Sequence, residues 1–202
     1  MPELPEVETI RRELPACIVG KRFKDVAILD DRPVRRLSPK EFPQRLIGQT
    51  IEVGRSGKYL LLRLSNGGTL IIHLRMTGAL LLDPDKPERF TRVIFGFSDG
   101  SELVFTDTRR FGVMYLVKDE KDVVGKLGVE PLSNEFTPKV LAGLLAKRKA
   151  PIKAVLLDQT VIAGIGNMYA DESLFSAKIH PMRVAGALSP IKRPSTRRFA
   201  RY

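Results

Sequence analysis

The central stretch of the chain, residues 59–74, reads YLLLRLSNGGTLIIHL. Its two apolar runs, Tyr59–Leu64 and Thr69–Leu74, have the length and composition of β-strands. The segment Ser65–Gly68 between them contains an Asn-Gly pair, which favours the tight turn of a β-hairpin. We therefore predict an antiparallel hairpin here, and the neighbouring segments repeat the same pattern.

Short apolar runs of this kind extend from Lys21 to Val117. Ser98–Gly100 is predicted to be a second hairpin turn, and residues 43–46 a short helix beside the sheet. Many short strands without helices between them favour an antiparallel β-sandwich or barrel. The further predicted strands are Lys24–Leu29, Thr50–Arg55, Ala79–Leu82, Arg92–Phe97, Glu102–Thr106 and Gly112–Val117.

A helix is predicted at the N-terminus, where residues 1–14 read MPELPEVETIRREL. Pro5 suits a first helical turn, and the apolar residues after it recur with helical spacing. The pattern indicates a helix packed on a core, but it gives Pro2 and Glu3 no structural role.

The C-terminal third of the chain has helical periodicity. Thr137 is a predicted N-cap followed by a proline, and Pro151 begins a second short helix. The glycine loop Ala163–Asn167 leads into a third helix, from Met168 to about Lys178. Helices here and strands before them predict an α+β protein.

Three regions are predicted. Residues 1–130 form the N-terminal helix and β-sandwich, and residues 131–188 form an incomplete helical domain. Residues 189–202 read SPIKRPSTRRFARY, with five basic residues and no acidic one. Such a segment is predicted not to form a packed unit.

The charge of the chain indicates the class of its partner. Thirty-four Lys and Arg residues stand against 23 Asp and Glu residues, for a net charge of +11 and a pI near 10.0. A domain this basic commonly binds nucleic acid, the alternative being a charge that only aids solubility.

Other compositional features exclude several protein classes. No apolar run approaches the roughly 20 residues of a membrane span, and the acidic N-terminus is unlike a secretory signal. A single cysteine, Cys17, allows no internal disulfide. We expect a cytoplasmic monomer.

Pro2 is a candidate nucleophile if Met1 is removed. The pKa of a terminal amine is about 8, well below that of a lysine side chain. A useful fraction of such an amine is therefore unprotonated at neutral pH and can act as a nucleophile. Its adduct with a sugar carbon is a charged iminium, which acidifies the neighbouring carbon. Glu3 and Glu6 could shuttle protons beside it, although Glu6 equally suits the positive end of a helix.

The N-terminal segment resembles the signature of the formamidopyrimidine-DNA glycosylase family. Further motifs follow in the family's order, namely GKYL at 57–60, HLRMTG at 73–78, TDTRRFG at 106–112 and IAGIGNMYADE at 162–172. The resemblance extends to about residue 188. It implies a bifunctional base-excision repair enzyme with a β-sandwich and a helix–two-turn–helix unit.

The resemblance also implies roles for individual residues at the reacting nucleotide. Pro2 resembles the Schiff-base nucleophile and Glu3 the proton donor. Lys58 matches a lysine that assists elimination, although a lysine in a turn is ordinarily a solvated charge. Met76, Arg109 and Phe111 resemble a wedge that fills the duplex where the damaged nucleotide leaves. The alternative for the two apolar residues is a place in the core, but the turn-forming residues beside them, Thr77-Gly78 and Gly112, favour loop tips.

Further positions are expected to hold the DNA backbone. Lys153 and Asn167 resemble phosphate contacts of the helix–two-turn–helix unit, and Arg148 and Lys149 are plausible additions. Gly164 and Gly166 are expected to let backbone N–H groups approach phosphate oxygens. His73, inside a strand, is predicted to be a satisfied core histidine.

The sequence departs from the family at Ser189. Family members continue into a four-cysteine zinc finger, which Cys17 alone cannot form. We therefore expect this chain to be a C-terminally truncated family member that holds no cofactor. Because an arginine of the finger assists the second elimination in the family, we also expect δ-elimination to be weakened. The resemblance implies damaged double-stranded DNA as the partner, in agreement with the net positive charge of the chain.

The function implied is excision of oxidised purines, such as 8-oxoguanine and formamidopyrimidines, followed by cleavage of the abasic site. Two alternatives remain open at this point. One is an oxidised-pyrimidine glycosylase of the sister branch, and the other a non-catalytic or inactive DNA-binding fragment.

Overall fold

The computed structural model describes residues 2–85 and 89–188. The predicted basic tail and the predicted removal of Met1 lie outside these residues. The chain divides into two compact units. The first contains Pro2 and Glu6–Gly125, and the second contains Glu3–Pro5 and the chain from Lys126 onward.

The first unit contains nine strands and four short helices among its described residues. The helices are α1 (Leu4–Glu13, of which the last eight residues belong here), α2 (Pro15–Ile18), α3 (Glu41–Leu46) and α4 (Lys121–Val124). The strands are β1 (Phe23–Ile28), β2 (Val34–Arg35), β3 (Ile51–Ser56), β4 (Tyr59–Leu64), β5 (Thr69–His73), β6 (Gly78–Leu82), β7 (Thr91–Phe97), β8 (Glu102–Asp107) and β9 (Val113–Val117).

Two sheets make up this unit. One has four strands in the order β1-β7-β8-β6, and the other has five in the order β2-β9-β5-β4-β3. Every pairing is antiparallel except that of β2 with β9. The predicted hairpin is confirmed as β4 and β5, with Leu61 opposite Ile71.

A single apolar core joins the inner faces of both sheets. Phe23 packs against Phe95 and Phe97, with ring centroids 5.8 and 5.4 Å apart. Buried leucines and isoleucines of β4 and β5 belong to the same cluster. Antiparallel sheets that share one core form a sandwich, so the predicted α+β fold class is confirmed.

The eight predicted strands all occur, each within one residue of its predicted ends. The prediction omitted β2, which consists only of Val34 and Arg35. Two residues are too few to show periodicity, and the strand exists because Val34 pairs in parallel with Met114 of β9.

The second unit contains helices α5 (Pro138–Leu145), α6 (Ile152–Leu157) and α7 (Asn167–Ala177) and a 3-10 turn (Ala185–Ala187). The Thr137 side chain accepts a hydrogen bond from the Val140 N–H at 3.2 Å, which confirms the predicted cap. Buried apolar residues of α6 and α7 share one cluster with Ile162 and Ile165 of the connecting loop.

The first unit ends at Gly125, and the segment that follows belongs to the second unit. The Gly128 N–H donates to the Gln159 carbonyl at 2.8 Å, and the Val129 N–H to the Val161 carbonyl at 3.2 Å. These hydrogen bonds tie the connecting segment to the helical unit. The predicted division into regions 1–130 and 131–188 stays a prediction.

No helix in residues 2–85 and 89–188 is long and apolar enough to cross a membrane.

We expect T137A to lower the free energy of unfolding of the helical unit by about 1 kcal/mol, because α5 loses its side-chain cap. Urea unfolding monitored by helical circular dichroism measures this loss. T137S keeps the accepting hydroxyl and should stay within a few tenths of wild type. Equal stability of T137A and T137S would contradict the role of the cap.

Candidate active site and nucleic-acid interface

The Glu3 side chain is buried and held by several hydrogen bonds. It is only 3% exposed, and its carboxylate lies at the N-terminus of α7. Oε2 accepts hydrogen bonds from the N–H groups of Gly166 and Tyr169 at 2.8 and 3.3 Å, and Oε1 accepts one from Met168 at 3.1 Å. Glu3 therefore supplies the cap that α7 lacks locally, at the positive end of the helix dipole.

The glycines of the preceding loop make this approach possible. Gly164 has φ +92°, a left-handed conformation, and a Cβ there would overlap the Leu4 side chain. At Gly166 a Cβ would overlap the Glu3 carboxyl group. Gln159 closes the loop, since its side chain accepts from the Gly164 N–H at 2.9 Å and donates to the Ile165 carbonyl at 2.8 Å.

The N–H groups of Gly164 and Gly166 both have acceptors within the chain. The Gly164 N–H donates to Gln159, and the Gly166 N–H donates to Glu3. The expectation that these glycines let backbone N–H groups of the loop approach phosphate oxygens stays a prediction. The loop does form an anion site at a helix N-terminus, as such loops do, but the anion is a carboxylate of the same chain.

Pro2 and Glu6 both belong to the first unit. Pro2 lies two residues before the start of α1 and is half-buried, and Glu6 lies in the first turn of that helix, also half-buried. Their proposed roles in catalysis stay predictions.

Lys58 lies in the turn between β3 and β4 and is only 8% exposed. The expectation that a lysine in such a turn is a solvated charge is therefore wrong here. The turn is held by Arg55, which donates to the Gly57 carbonyl at 2.8 Å and to the Glu8 carboxylate at 2.9 Å. The position of Lys58 thus depends on a contact with α1.

Glu8 is surrounded by arginine. Its carboxylate also accepts from Arg11 at 2.7 Å and from Arg12 at 2.8 Å. Burial alone would raise the pKa of Glu8, but the hydrogen bonds from Arg11, Arg55 and Arg12 outweigh it and lower the pKa to about 2. The ionised carboxylate therefore persists through the physiological pH range and keeps Arg55 in place.

His73 is buried at the end of β5, as predicted for a core histidine. Its Nδ1 accepts from the Arg75 N–H at 3.0 Å, and its ring packs edge-on against Tyr59 with centroids 4.6 Å apart. Burial, with the positive charges of Arg75 and Lys58, lowers the pKa of His73 to about 3. The ring is therefore neutral at physiological pH.

Met76, Arg109 and Phe111 come together at one end of the sandwich, on loops rather than in the core. Met76 is 42% exposed and Phe111 49% exposed, so the prediction that they are loop-tip residues is confirmed. The Arg109 guanidinium lies 4.7 Å from the centroid of the Phe111 ring. Exposed apolar side chains beside a cation form a surface that can enter a base stack.

Asp107, Thr77, Glu8, Arg55 and Gln159 contribute to these sites but were not predicted from the sequence. Each acts through a contact with another segment of the chain, which leaves no local periodicity. Only Asp107 left a signal in the sequence. It is the acidic residue at the end of a predicted strand, in the motif TDTRRFG, which ends in a glycine.

The predicted phosphate contacts of the second unit lie on its surface. Arg148 and Lys149 are exposed beyond the end of α5, and Asn167 is exposed at the first position of α7. Lys153 of α6 forms a salt bridge with Asp171 of α7, with Nζ 2.7 Å from Oδ1. A phosphate would have to compete with that carboxylate for Lys153.

The described residues contain no group of three or more His, Cys, Asp or Glu side chains that could hold a metal ion. Cys17, the one cysteine of the chain, cannot supply the four thiolates of a zinc finger. The donor set therefore does not fit the family's zinc site.

Two family models match the chain. The formamidopyrimidine-DNA glycosylase N-terminal domain matches residues 1–114, and the formamidopyrimidine-DNA glycosylase H2TH (helix–two-turn–helix) domain matches residues 127–194. The sandwich and the helical unit are thus those of a base-excision DNA glycosylase.

Full-length relatives agree with these domain matches. The formamidopyrimidine-DNA glycosylase of Geobacillus kaustophilus is 50% identical over 199 residues, covering 94% of this chain and 72% of that protein. The corresponding protein of Pelotomaculum thermopropionicum is 48% identical, covering 94% of this chain and 71% of its own length. The chain belongs to the formamidopyrimidine-DNA glycosylase family.

Solved structures share the fold. A complex of Lactococcus lactis Fpg with abasic-site DNA superposes with a TM-score of 0.85 at 36% identity, covering 93% of this chain and 71% of that one. A complex of a Lactococcus lactis Fpg mutant with Fapy-dG-containing DNA gives 0.85 at 37% identity, covering 94% and 72%.

We expect G166A to destabilise the helical unit by about 1–3 kcal/mol, because the added Cβ displaces the Glu3 carboxylate and leaves buried N–H groups unpaired. G143A is the matched control. A Cβ at Gly143, inside α5, meets nothing within 4 Å, so this change should be neutral or stabilising. Urea unfolding of both variants measures the loss of stability. Equal losses in G166A and G143A would rule out the packing of Glu3 against Gly166.

His73 should make the stability of the first unit depend on pH. Its pKa is about 3 in the folded protein and about 6.5 when unfolded, so unfolding takes up one proton below pH 6.5. The free energy of unfolding should therefore decrease as the pH is lowered below 6.5. The slope should approach about 1.4 kcal/mol per pH unit until the pH reaches the folded pKa.

The measurement is urea unfolding between pH 6.5 and 5, above the range in which Glu8 titrates. H73N can still accept the Arg75 N–H and should lose this slope. H180N changes the exposed histidine and should retain it. An unchanged slope in H73N would refute the assignment.

Proposed function

We propose that this protein excises oxidised purines from duplex DNA and cleaves the resulting abasic site through a Schiff base on Pro2. The observation that supports this most is that the family's N-terminal domain matches from residue 1. The match thus includes Pro2 and Glu3, the residues that would carry the chemistry.

The proposed reaction begins with the unprotonated Pro2 amine, which requires removal of Met1. Its nitrogen forms a bond to C1′ of the damaged nucleotide as the bond from C1′ to the base breaks. The base leaves with a proton, and the sugar ring opens as its oxygen takes up another. Because proline is a secondary amine, the product is a cationic iminium without any further protonation.

Elimination follows from this iminium. The positive charge acidifies C2′, loss of a proton there expels the 3′ phosphate, and a second elimination can expel the 5′ phosphate. Glu3 is the proposed proton shuttle for the ring oxygen, with Glu6 as a further carboxylate. Water finally hydrolyses the imine and regenerates the Pro2 amine.

Lys58 is the proposed electrostatic partner of the phosphate that flanks the lesion. Because Lys58 is only 8% exposed, its ammonium carries less hydration than that of a surface lysine. Contact with a phosphate therefore costs less desolvation free energy. The rigid turn formed by Arg55 and Gly57 supports this role, since a positioned charge is worth more than a mobile one.

Met76, Arg109 and Phe111 are the proposed wedge. Extruding a nucleotide costs a few kcal/mol of stacking, and an aromatic ring with a thioether can replace part of it. The Arg109 guanidinium can hydrogen-bond the base left unpaired in the opposite strand. Their exposure at adjacent loop tips supports this assignment.

Backbone binding is proposed for Arg148, Lys149, Lys153 and Asn167. The net charge of +11 supports a polyanionic partner. The preference for purines is supported by the Lactococcus lactis protein, which has been solved with Fapy-dG-containing DNA. Action as a monomer and location in the cytoplasm remain predictions.

Borohydride trapping tests the proposal directly. The protein is incubated with duplexes that carry 8-oxoguanine, a preformed abasic site or thymine glycol, reduced and digested with trypsin. The expected product is a DNA adduct on the peptide PELPEVETIR, residues 2–11. This peptide contains no lysine, so an adduct on it can only be on the terminal amine.

P2G should reduce trapping strongly, because the imine of a primary amine is not obligatorily cationic. P39G changes an exposed proline of the same unit and should trap normally. Intact mass establishes whether Met1 has been removed.

The outcomes separate the alternatives. Trapping with thymine glycol but not 8-oxoguanine would assign the protein to the oxidised-pyrimidine branch. Absence of a Pro2 adduct with all three duplexes, in protein that lacks Met1, would leave a non-catalytic DNA-binding protein.

A further inference from the structure

Asp107, the last residue of β8, is completely buried and connects the two loops that carry the proposed wedge. We call residues 74–77 the methionine loop, since it carries Met76, and residues 108–111 the arginine loop. The Asp107 carboxylate accepts a hydrogen bond from the Thr77 hydroxyl of the methionine loop at 2.5 Å.

The same carboxylate fixes the arginine loop at both of its ends. Oδ1 accepts from the Arg109 N–H at 3.1 Å, and Oδ2 accepts from the Gly112 N–H at 2.7 Å. The Arg109 N–H also points to the Thr77 hydroxyl oxygen at 3.2 Å. One carboxylate and one hydroxyl thus hold both loops.

Tight packing keeps the carboxylate close to the loop backbone. A Cβ at Gly112 would lie 2.5 Å from the Phe105 ring and 3.2 Å from Asp107 Oδ2, so only glycine fits. On the other side, the Asp107 carbonyl accepts from Arg92 Nε at 2.9 Å. Asp107 therefore has little freedom to follow a moving loop.

The second arginine of the loop is directed away from the wedge. Arg110 has φ 60°, and its Nε lies 3.2 Å from the Asp30 carboxylate. Asp30 also lies 3.7 Å from Arg92. This anchor leaves Arg109, stacked on Phe111, as the arginine presented at the loop tip.

We propose that Asp107 is a positioning residue that locks the methionine and arginine loops at one fixed spacing, so that the wedge enters DNA as a preformed unit. Thr77 is its partner in this role. The inference deepens the proposed function and depends on it for its consequence in DNA. It concerns duplex substrates alone, because single-stranded DNA has no stacked partner to displace.

Asparagine cannot replace this carboxylate. Three donors converge on its two oxygens, whereas an amide offers one oxygen and an NH2 group that would face an N–H. D107N therefore should disrupt both loops, but it alters a buried position. T77V is the milder variant, since it removes only the hydroxyl, and T77S restores it.

The first measurement is amide hydrogen exchange in the DNA-free protein. T77V should speed exchange at Arg109 by roughly tenfold, about the effect of one lost hydrogen bond. Exchange at Gly112 should also rise, although Thr77 does not bond to it, if the carboxylate couples the loops. T77S should match wild type. T108V, which removes a neighbouring exposed hydroxyl, should leave both amides unchanged.

The second measurement compares excision of 8-oxoguanine from a duplex with trapping on a single-stranded abasic oligonucleotide. T77V should slow duplex excision by roughly tenfold and leave single-strand trapping at the wild-type level, with rescue in T77S. D107N should show the same split with a larger loss.

Wild-type exchange at Gly112 and wild-type duplex excision in T77V would each overturn the inference. Equal losses on duplex and single-stranded substrates would also overturn it, because they would show a general defect. If wild type forms no adduct with any substrate, the proposed function fails, and the exchange rates alone then decide whether Asp107 couples the loops.

Discussion

The helical unit depends on a carboxylate from the beginning of the chain. Glu3 lies 163 residues before Gly166, yet it caps α7 in place of a local side chain. Its two oxygens accept from three N–H groups at the start of α7, of which that of Gly166 is buried. The loop glycines, the position of Leu4 and the buried contacts of Gln159 all serve this arrangement.

The same principle recurs in the first unit. Asp107 and Glu8 are carboxylates that accept several hydrogen bonds each and thereby fix exposed or reactive neighbours. Glu8 orders the turn of Lys58 through Arg55, and Asp107 orders the two wedge loops. Since Lys58 and the proposed wedge residues lie on loops, their geometry derives from these carboxylates rather than from secondary structure.

Much of the fold could be predicted from the sequence because its signals are local. Short apolar runs, with one Asn-Gly and one Asp-Gly turn, predicted the strands, and Thr137 with its proline predicted α5. The strand β2 was not predicted, because its two residues show no periodicity and become a strand only by pairing with β9. The segment between the units is held by hydrogen bonds to residues 159–161, which no local pattern could indicate.

The candidate site was predictable in its residue types but not in its contacts. The exposed wedge positions could be recognised from the turn-forming residues beside them. The burial of Lys58 and the loss of the glycine-loop N–H groups to Gln159 and Glu3 could not, because both result from long-range contacts. Motif resemblance identifies such residues without explaining what holds them.

The long-range cap also has a consequence for biosynthesis. Glu3 is among the first residues to be translated, whereas Tyr169 emerges from the ribosome only after most of the chain has been made. Domains generally fold in order during synthesis, so the first unit can form before Glu3–Pro5 find their contacts in the second unit. Glu3–Pro5 are consequently among the last residues to reach their native contacts.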